Sequence, residues 1–407
     1  MKSHLLVTNP AAWAIYPTRF LLAFAQGGLL GPLLPLLRET FHVGYSELGL
    51  LTSAFGLSAV GMDIITTRYF SRRPLFNVLR QGICLAGLGL LCCALAPSFY
   101  WMVGARVVLG FGVSMARFAC LTVIVTATPR AAQGRAHNLL EFAAIGGSAL
   151  SPMLSGMTAS FLHWRAAYGV ALLFVIGAFG WVLYTRQTLA QAIEESAKNQ
   201  RSAPRPVATV PTAPAYETRV ALLAYLAAFM LSFVWAGFLA TALPLFGGEV
   251  VGLSTSMLGA IMAAGLCIDL VLLLPIGWLS DRLQGRTVLA PALLLMAITL
   301  AWLPQTTTMV GLLLVSLSLH AGFATWGMPS AALAMLTQGT QQARAMAHYR
   351  LLVDGAAVLA PWLMGLLIER YGYALPAHYT AVVVALTALL VMVGLRPTRQ
   401  WRLPQPA

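Results

Sequence analysis

Charge is what this chain lacks most. Only 9% of its 407 residues are Asp, Glu, Lys or Arg, against about 25% in an ordinary soluble domain. So few charges cannot cover the surface of a water-soluble fold of this length. With 59% hydrophobic residues and a mean hydropathy of +0.80, lipid must replace water over much of that surface. Cysteine is also scarce. Cys84, Cys92, Cys93, Cys120 and Cys267 all lie in apolar runs and make no C-x-x-C pair. That excludes a disulfide framework and a thiolate metal site, and leaves five small hydrophobic side chains. A phosphate-binding loop, a cluster of metal ligands and a recognisable catalytic triad are missing too. Their absence argues against an enzyme, against ATP-driven pumping and against any cofactor or metal.

What the chain does have is apolar runs of about 20 residues, the length that crosses a bilayer core of about 30 Å. Twelve spans are predicted, at 13–37, 47–68, 75–96, 99–126, 137–158, 165–187, 219–246, 256–280, 287–303, 309–335, 345–369 and 377–395. Residues 188–218 differ in composition. They hold Glu194, Glu195, Lys198, Arg201 and Arg205 together with Pro204, Pro206, Pro211 and Pro214. A polar, proline-rich stretch of this kind cannot bury itself in lipid and reads as a linker. The expected organisation is all-α: an N-terminal six-helix bundle over 1–187, a linker over 188–218 and a C-terminal six-helix bundle over 219–407.

The formal net charge of +13 does not point to nucleic acid. The basic residues mark the ends of apolar segments instead of one amphipathic face. With both termini in the cytoplasm, twenty of the 25 Lys and Arg fall at cytoplasmic loops or helix ends. Arg38, Arg165 and Arg370 fall outside, and Arg106 and Arg117 lie within the fourth span. Cytoplasmic loops retain positive charge, so this orientation is the expected one. The first apolar stretch runs from near Lys2 past Arg19 to Leu37 without a small-residue cleavage pattern, so it is expected to stay as an anchor. The predicted setting is the plasma membrane, of the bacterial inner-membrane type, with a monomer embedded in the bilayer.

The two halves repeat at an offset near 209 residues. Leu34-Pro35-Leu36 matches Leu243-Pro244-Leu245, Arg135-Ala136 matches Arg344-Ala345, and Gly146, Pro152 and Gly156 match Gly355, Pro361 and Gly365. With one residue of drift, Val43-Gly44-x-Ser46 matches Val251-Gly252-x-Ser254. A parallel six-plus-six repeat implies two bundles related by an axis along the membrane normal. Cargo then binds between them near the midplane, and access alternates as one bundle rocks on the other.

Four segments carry a family resemblance. Gly277-Trp278-Leu279-Ser280-Asp281-Arg282-Leu283-Gln284-Gly285-Arg286 resembles the loop signature that joins the second and third helices of each half in the major facilitator superfamily. Gly277 would allow close helix approach, and Asp281, Arg282 and Arg286 would latch the cytoplasmic side. In the first half the matching stretch, Thr66 to Arg73, keeps its basic residues but lacks the acid and its preceding glycine, with Asp63 upstream as a substitute. Arg106-Val107-Val108-Leu109-Gly110-Phe111-Gly112 resembles the family's helix-4 motif, in which an embedded Arg is linked to proton transfer. Gly147-x-x-x-Ser151-Pro152-x-x-Ser155-Gly156 resembles the helix-5 motif of drug:proton antiporters, with Ser twice where Gly is usual. Generic small-residue packing is the alternative reading of it. Gly31-Pro32-Leu33-Leu34-Pro35 resembles another exporter signature.

Ionisable groups at membrane depth cost about 2.5 kcal/mol or more each, so each needs a reason. Arg106, Arg117, Glu141, Asp269 and Asp354 are the proton-coupling candidates, with Glu141 and Asp269 leading. Arg106 and Arg117 are three turns apart on one face. Arg117 either ties helices together or reaches Glu141 and keeps it ionised until the bundles move. Arg350 and Asp354 are four residues apart, so Asp354 either titrates or simply neutralises Arg350. Asp269 has no close sequence partner. Gln26, Trp235, His320, Phe323, Trp326 and Arg350 are the candidates for the cargo-binding cavity, with packing roles as the alternative, and Phe24 and Phe238 are weaker ones. The resemblance implies a proton-driven exporter of a small, partly apolar molecule such as a drug, a siderophore or another metabolite. Uptake symport of an organic solute is the second reading. A non-transporting receptor or scaffold is the third.

Overall fold

The computed structural model describes residues 10–69, 74–128, 133–191, 218–282, 285–337 and 339–394. Among the described residues the regular structure is all helical. Apolar sequence leaves this outcome, because lipid offers the backbone no hydrogen bonds and a helix supplies its own.

The helices fall into twelve stretches. Helix 1 is assembled from Pro10–Ala23, short 3₁₀ turns at Gly27–Leu29 and Gly31–Leu33, and Leu34–Phe41. Helices 2 to 6 are Tyr45–Tyr69, Leu75–Ala94, Phe99–Ala127, Gln133–Phe161 and Trp164–Tyr184. Helix 7 joins Thr218–Val234, a π-helical turn at Trp235–Ala242, and Leu243–Glu249. Helices 8 and 9 are Thr255–Arg282 and Gly285–Trp302. Helix 10 consists of Met309–Phe323 and Met328–Leu336, and helices 11 and 12 are Gly339–Tyr371 and Ala374–Gly394. Among the described residues nine of these stretches are long and apolar enough to cross a membrane. The expected linker falls mostly on residues 192–217, which lie outside the described residues.

Three hydrophobic clusters form among the described residues. One gathers Ala11 through Leu189 from helices 1 to 6 and borrows Leu245 from helix 7. A second gathers Val220 through Val391 from helices 7 to 12, and a smaller third joins Ala221, Ala224 and Ala228 of helix 7 to Leu333, Tyr349 and Val353 of helices 10 and 11. Within the first, helices 3 and 4 approach at backbone contact: a Cβ on Gly112 would sit 2.2 Å from the Ala86 nitrogen, and one on Gly89 would sit 2.5 Å from Leu109. Small residues at such positions are how helices gain contact in lipid, where apolar burial alone supplies little.

The repeat seen in the sequence is a repeat of contacts. The Tyr16 hydroxyl of helix 1 donates to the Ala136 carbonyl of helix 5 at 3.3 Å. The Tyr225 hydroxyl of helix 7 donates to the Ala345 carbonyl of helix 11 at 3.2 Å. Each partner of the second bond lies 209 residues after its partner in the first.

The bundles meet along two seams, helix 2 on helix 11 and helix 5 on helix 8. The seams are copies as well. A Cβ on Gly259 would lie 2.2 Å from the Pro152 carbonyl oxygen, and one on Gly49 would lie 2.2 Å from that of Pro361. Gly156 abuts Thr255 as Gly365 abuts Tyr45. At all four contacts any larger residue would push the bundles apart.

Candidate functional site

Three helices break near mid-length, two of them at equivalent points of the repeat. Helix 1 unwinds after Ala23, and Gln26, half-buried, opens the first 3₁₀ turn. Helix 7 widens into its π turn at Trp235, which lies 209 residues after Gln26. Helix 10 turns at residues 324–327. Unwinding frees backbone carbonyls, which must find donors inside a bundle. Ser151 of helix 5 donates its hydroxyl to the Phe24 carbonyl at 2.7 Å, and the Ser148 hydroxyl donates to the Ala23 carbonyl at 3.4 Å. Gly147 allows this approach, because a Cβ there would fall 2.1 Å from the Phe20 oxygen. The helix-5 motif therefore has two structural jobs. Gly147 and Ser151 hold the broken first helix, while Pro152 and Gly156 form the seam to helix 8.

The breaks bring three of the expected cavity residues together. The Trp235 and Phe323 rings stack with centroids 6.3 Å apart, and Phe323 meets Trp326 at 4.9 Å. Phe24 stacks on Phe174 at 4.1 Å, and Phe238 is fully buried, so both serve packing.

His320 is the partner that the sequence did not reveal for Asp269. Its Nδ1 lies 2.7 Å from Asp269 Oδ2, and both side chains are buried. Gly265, one turn before Asp269 on helix 8, makes room for the imidazole; a Cβ there would meet the ring at 2.2 Å. The second carboxylate oxygen, Oδ1, has no hydrogen-bond partner. A buried carboxylate and imidazole in direct contact can hold one or two protons between them, and the extra proton changes the charge of the pair by one unit.

The N-terminal bundle holds basic residues instead. Arg106 is 1% exposed, and its guanidinium lies 5.1 Å from the centre of the Phe55 ring. Arg117 and Glu141 are both half-buried, and no ion pair joins them. Arg19 has both as electrostatic neighbours. Arg19 does not belong with the cytoplasmic helix ends: it is 4% exposed and lies well inside helix 1. An Arg nine residues into an apolar helix was the available signal. On helix 11, Arg350 is exposed and Asp354 half-buried.

A second polar cluster joins the bundles at the end of the molecule carrying the turns after helices 1, 7 and 11. Glu249 ends helix 7. Its Oε1 accepts from Arg38 Nη1 at 2.9 Å, and its Oε2 accepts from the Tyr45 and Tyr373 hydroxyls at 2.5 and 3.0 Å. The Arg38 guanidinium also lies 4.1 Å above the Tyr45 ring. Burial first, and then the Glu249 charge, push the Tyr373 phenol above its ordinary pKa, so it remains a donor. Beside this cluster Glu369 accepts from the Ser46 hydroxyl and amide at 2.6 and 3.1 Å. Sequence reading passed over this clasp. The signal was opposite charges just beyond the two matching Leu-Pro-Leu segments.

At the other end, Arg282 lies over the Trp278 ring at 4.0 Å. Among the described residues a Cβ on Gly277 would meet nothing, so close helix approach is not the reason for that glycine. The side chains of Asp63, Asp281, Arg286 and residues 66–69, and residues 70–73 altogether, lie outside the described residues. All five cysteines are free, in apolar helices.

Comparison with known proteins agrees with this architecture. The model of the Major Facilitator Superfamily matches residues 19–328, and again 251–406. A solved peptide transporter POT in complex with sulfate has a TM-score of 0.74 at 12% identity, covering 95% of this chain and 93% of that one. A bacterial homolog of the human lysosomal transporter Spinster, solved inward-facing and unoccupied, has a TM-score of 0.71 at 16% identity, covering 98% and 100%. A POT family transporter holding a thioalcohol-conjugated peptide has a TM-score of 0.73 at 12% identity, covering 94% and 95%. No curated protein matches. With the family model matched from Arg19 to the C-terminal region, the chain belongs to the Major Facilitator Superfamily.

Proposed function

We propose that the protein is a proton-coupled secondary transporter that exports a small, partly apolar organic molecule by alternating access. Family membership supports transport. The observation that carries the coupling is the buried Asp269–His320 contact at 2.7 Å. Removing such a pair from water favours proton binding to balance charge, and changing its hydration or contacts favours release. Rocking about the two glycine seams would supply that change as the clasp around Glu249 opens and closes. The helix-5 motif supports export over import. Both termini and residues 188–218 then lie in the cytoplasm, the clasp lies at the outer face, and the structure is the state closed to the outside.

The proton itself is the probe for the test. Proteoliposomes on a solid-supported membrane receive pH jumps, and charge displacement is recorded. Wild-type protein should give a saturable displacement, and Asp269→Asn should lose it at equal reconstitution. Glu141→Gln, the competing carrier, should keep it. An unchanged signal in Asp269→Asn would overturn the assignment of the proton to this pair. Loss in Glu141→Gln alone would move the proton to the first bundle.

A further inference from the structure

Arg19 and Arg106 are both buried with Nε and Nη1 unbonded, and Arg19 is the one with other charged side chains as electrostatic neighbours. Arg38 donates to Glu249, and Arg165 donates from Nη2 to the Ala96 carbonyl at 3.0 Å. Arg106, equally buried and likewise unbonded at Nε and Nη1, has the face of Phe55. Arg19 is 4% exposed, yet its Nε and Nη1 have no hydrogen-bond partner. A buried guanidinium left this way costs several kcal/mol. A helix tie would show the bond it makes, and Arg19 shows none at these two nitrogens.

Its surroundings point to what is missing. Arg117 arrives from helix 4 and Glu141 from helix 5. The three side chains therefore form one charged cluster. Two guanidiniums and one carboxylate leave one uncompensated positive charge, with Arg19 itself shut away from water. A guanidinium presents paired N–H groups that fit the two oxygens of a carboxylate or the edge of a phosphate.

We infer that Arg19, with Arg117 beside it, is the docking point for a singly charged anionic group on the transported molecule, and that this group neutralises the cluster. That the anion is cargo rests on the transport reading; that the site binds an anion does not. A carboxylate supplies one negative charge and two acceptors, which balances the charge count and satisfies Nε and Nη1 together.

The test is thermal unfolding of the full-length protein in dodecyl maltoside, with hexanoate compared against its neutral amide, hexanamide, at matched ionic strength. Wild type should show a saturable rise in melting temperature with hexanoate and none with hexanamide. Arg19→Gln should weaken the apparent affinity for hexanoate at least tenfold, and Arg117→Gln should weaken it too. Arg186→Gln, at an exposed position, should leave it unchanged. Without ligand, Arg19→Gln should melt at or above wild type, because an unpartnered buried charge has gone. A melting temperature well below wild type would make Arg19 a structural tie and overturn the inference. Equal responses to hexanoate and hexanamide, or no saturable response to hexanoate, would overturn it as well. So would an Arg19-dependent stabilisation by phosphatidylglycerol over phosphatidylcholine in nanodiscs without any from hexanoate, which would assign the site to a lipid headgroup. Hexanoate binding without proton-driven charge displacement would remove the transport reading and leave the anion site standing. Charge displacement with unaltered binding in Arg19→Gln would do the reverse.

Discussion

Replacing Glu249 by Gln should loosen the junction between the bundles by about 2 kcal/mol. The carboxylate accepts from Arg38 on one oxygen and from Tyr45 and Tyr373 on the other. A glutamine keeps one acceptor oxygen and turns the other into a donor. Facing two phenols with its oxygen, it must present its NH2 to the Arg38 guanidinium, and that bond is lost. A hydrogen bond to a charged group is worth about 1.5–3 kcal/mol when buried. The Arg38 side chain is 37% exposed, so water competes and about 1 kcal/mol is the fitting figure. The two phenol bonds persist in neutral form at roughly half strength, a further loss of about 1 kcal/mol in total. A shift of about 2 kcal/mol changes a two-state equilibrium roughly thirtyfold. The glycine seams and the Ser46–Glu369 bonds remain, so the change should appear in populations and leave the fold intact. Double electron–electron resonance between labels at Leu162 and Leu375, both exposed at this end of opposite bundles, reads those populations in a cysteine-free background. Glu249→Gln should move weight from the short to the long distance. In a double-mutant cycle with Arg38→Gln the coupling should be about 1 kcal/mol. An unchanged distance distribution together with zero coupling would refute the reasoning.

Other outcomes follow from single contacts. Gly265→Ala places a methyl 2.2 Å from the His320 ring, so it should cost about 1–3 kcal/mol by overpacking and reduce proton-driven charge displacement without removing any titratable group; unchanged currents and melting would contradict the contact. A cysteine introduced at position 205 should resist impermeant maleimide in intact cells and react after lysis; efficient labelling from outside would invert the assigned orientation. Asp281→Asn should impair transport more than expression, with a smaller effect from Arg73→Ala; wild-type transport at equal membrane level would remove the latch.

Some of this protein was legible without coordinates. Lipid dissolves only apolar surface, and a bilayer has one thickness, so composition and run length alone set out helices that the structure reproduces within a few residues. Leu-Pro-Leu, Arg-Ala and the Gly/Pro positions carried the repeat because they sit where backbone geometry is demanding. The structure returns that repeat as the Tyr16–Ala136 and Tyr225–Ala345 bonds and as paired glycine seams. Three aromatic residues singled out in the sequence, Trp235, Phe323 and Trp326, pack together at the breaks in helices 7 and 10.

What tertiary structure alone decided is which charges meet. Asp269 and His320 are 51 residues apart, on helices whose mutual rotation is fixed by packing at Gly265, and no local pattern encodes that rotation. Arg19 read as one more basic residue near a helix end until helices 4 and 5 enclosed it. Glu249 read as a loop acid until Arg38, Tyr45 and Tyr373 converged on it from other helices. Hydropathy is a property of each segment, so a sequence states it directly. A buried ion pair is a property of how rigid rods are turned against one another, and that exists only once they pack.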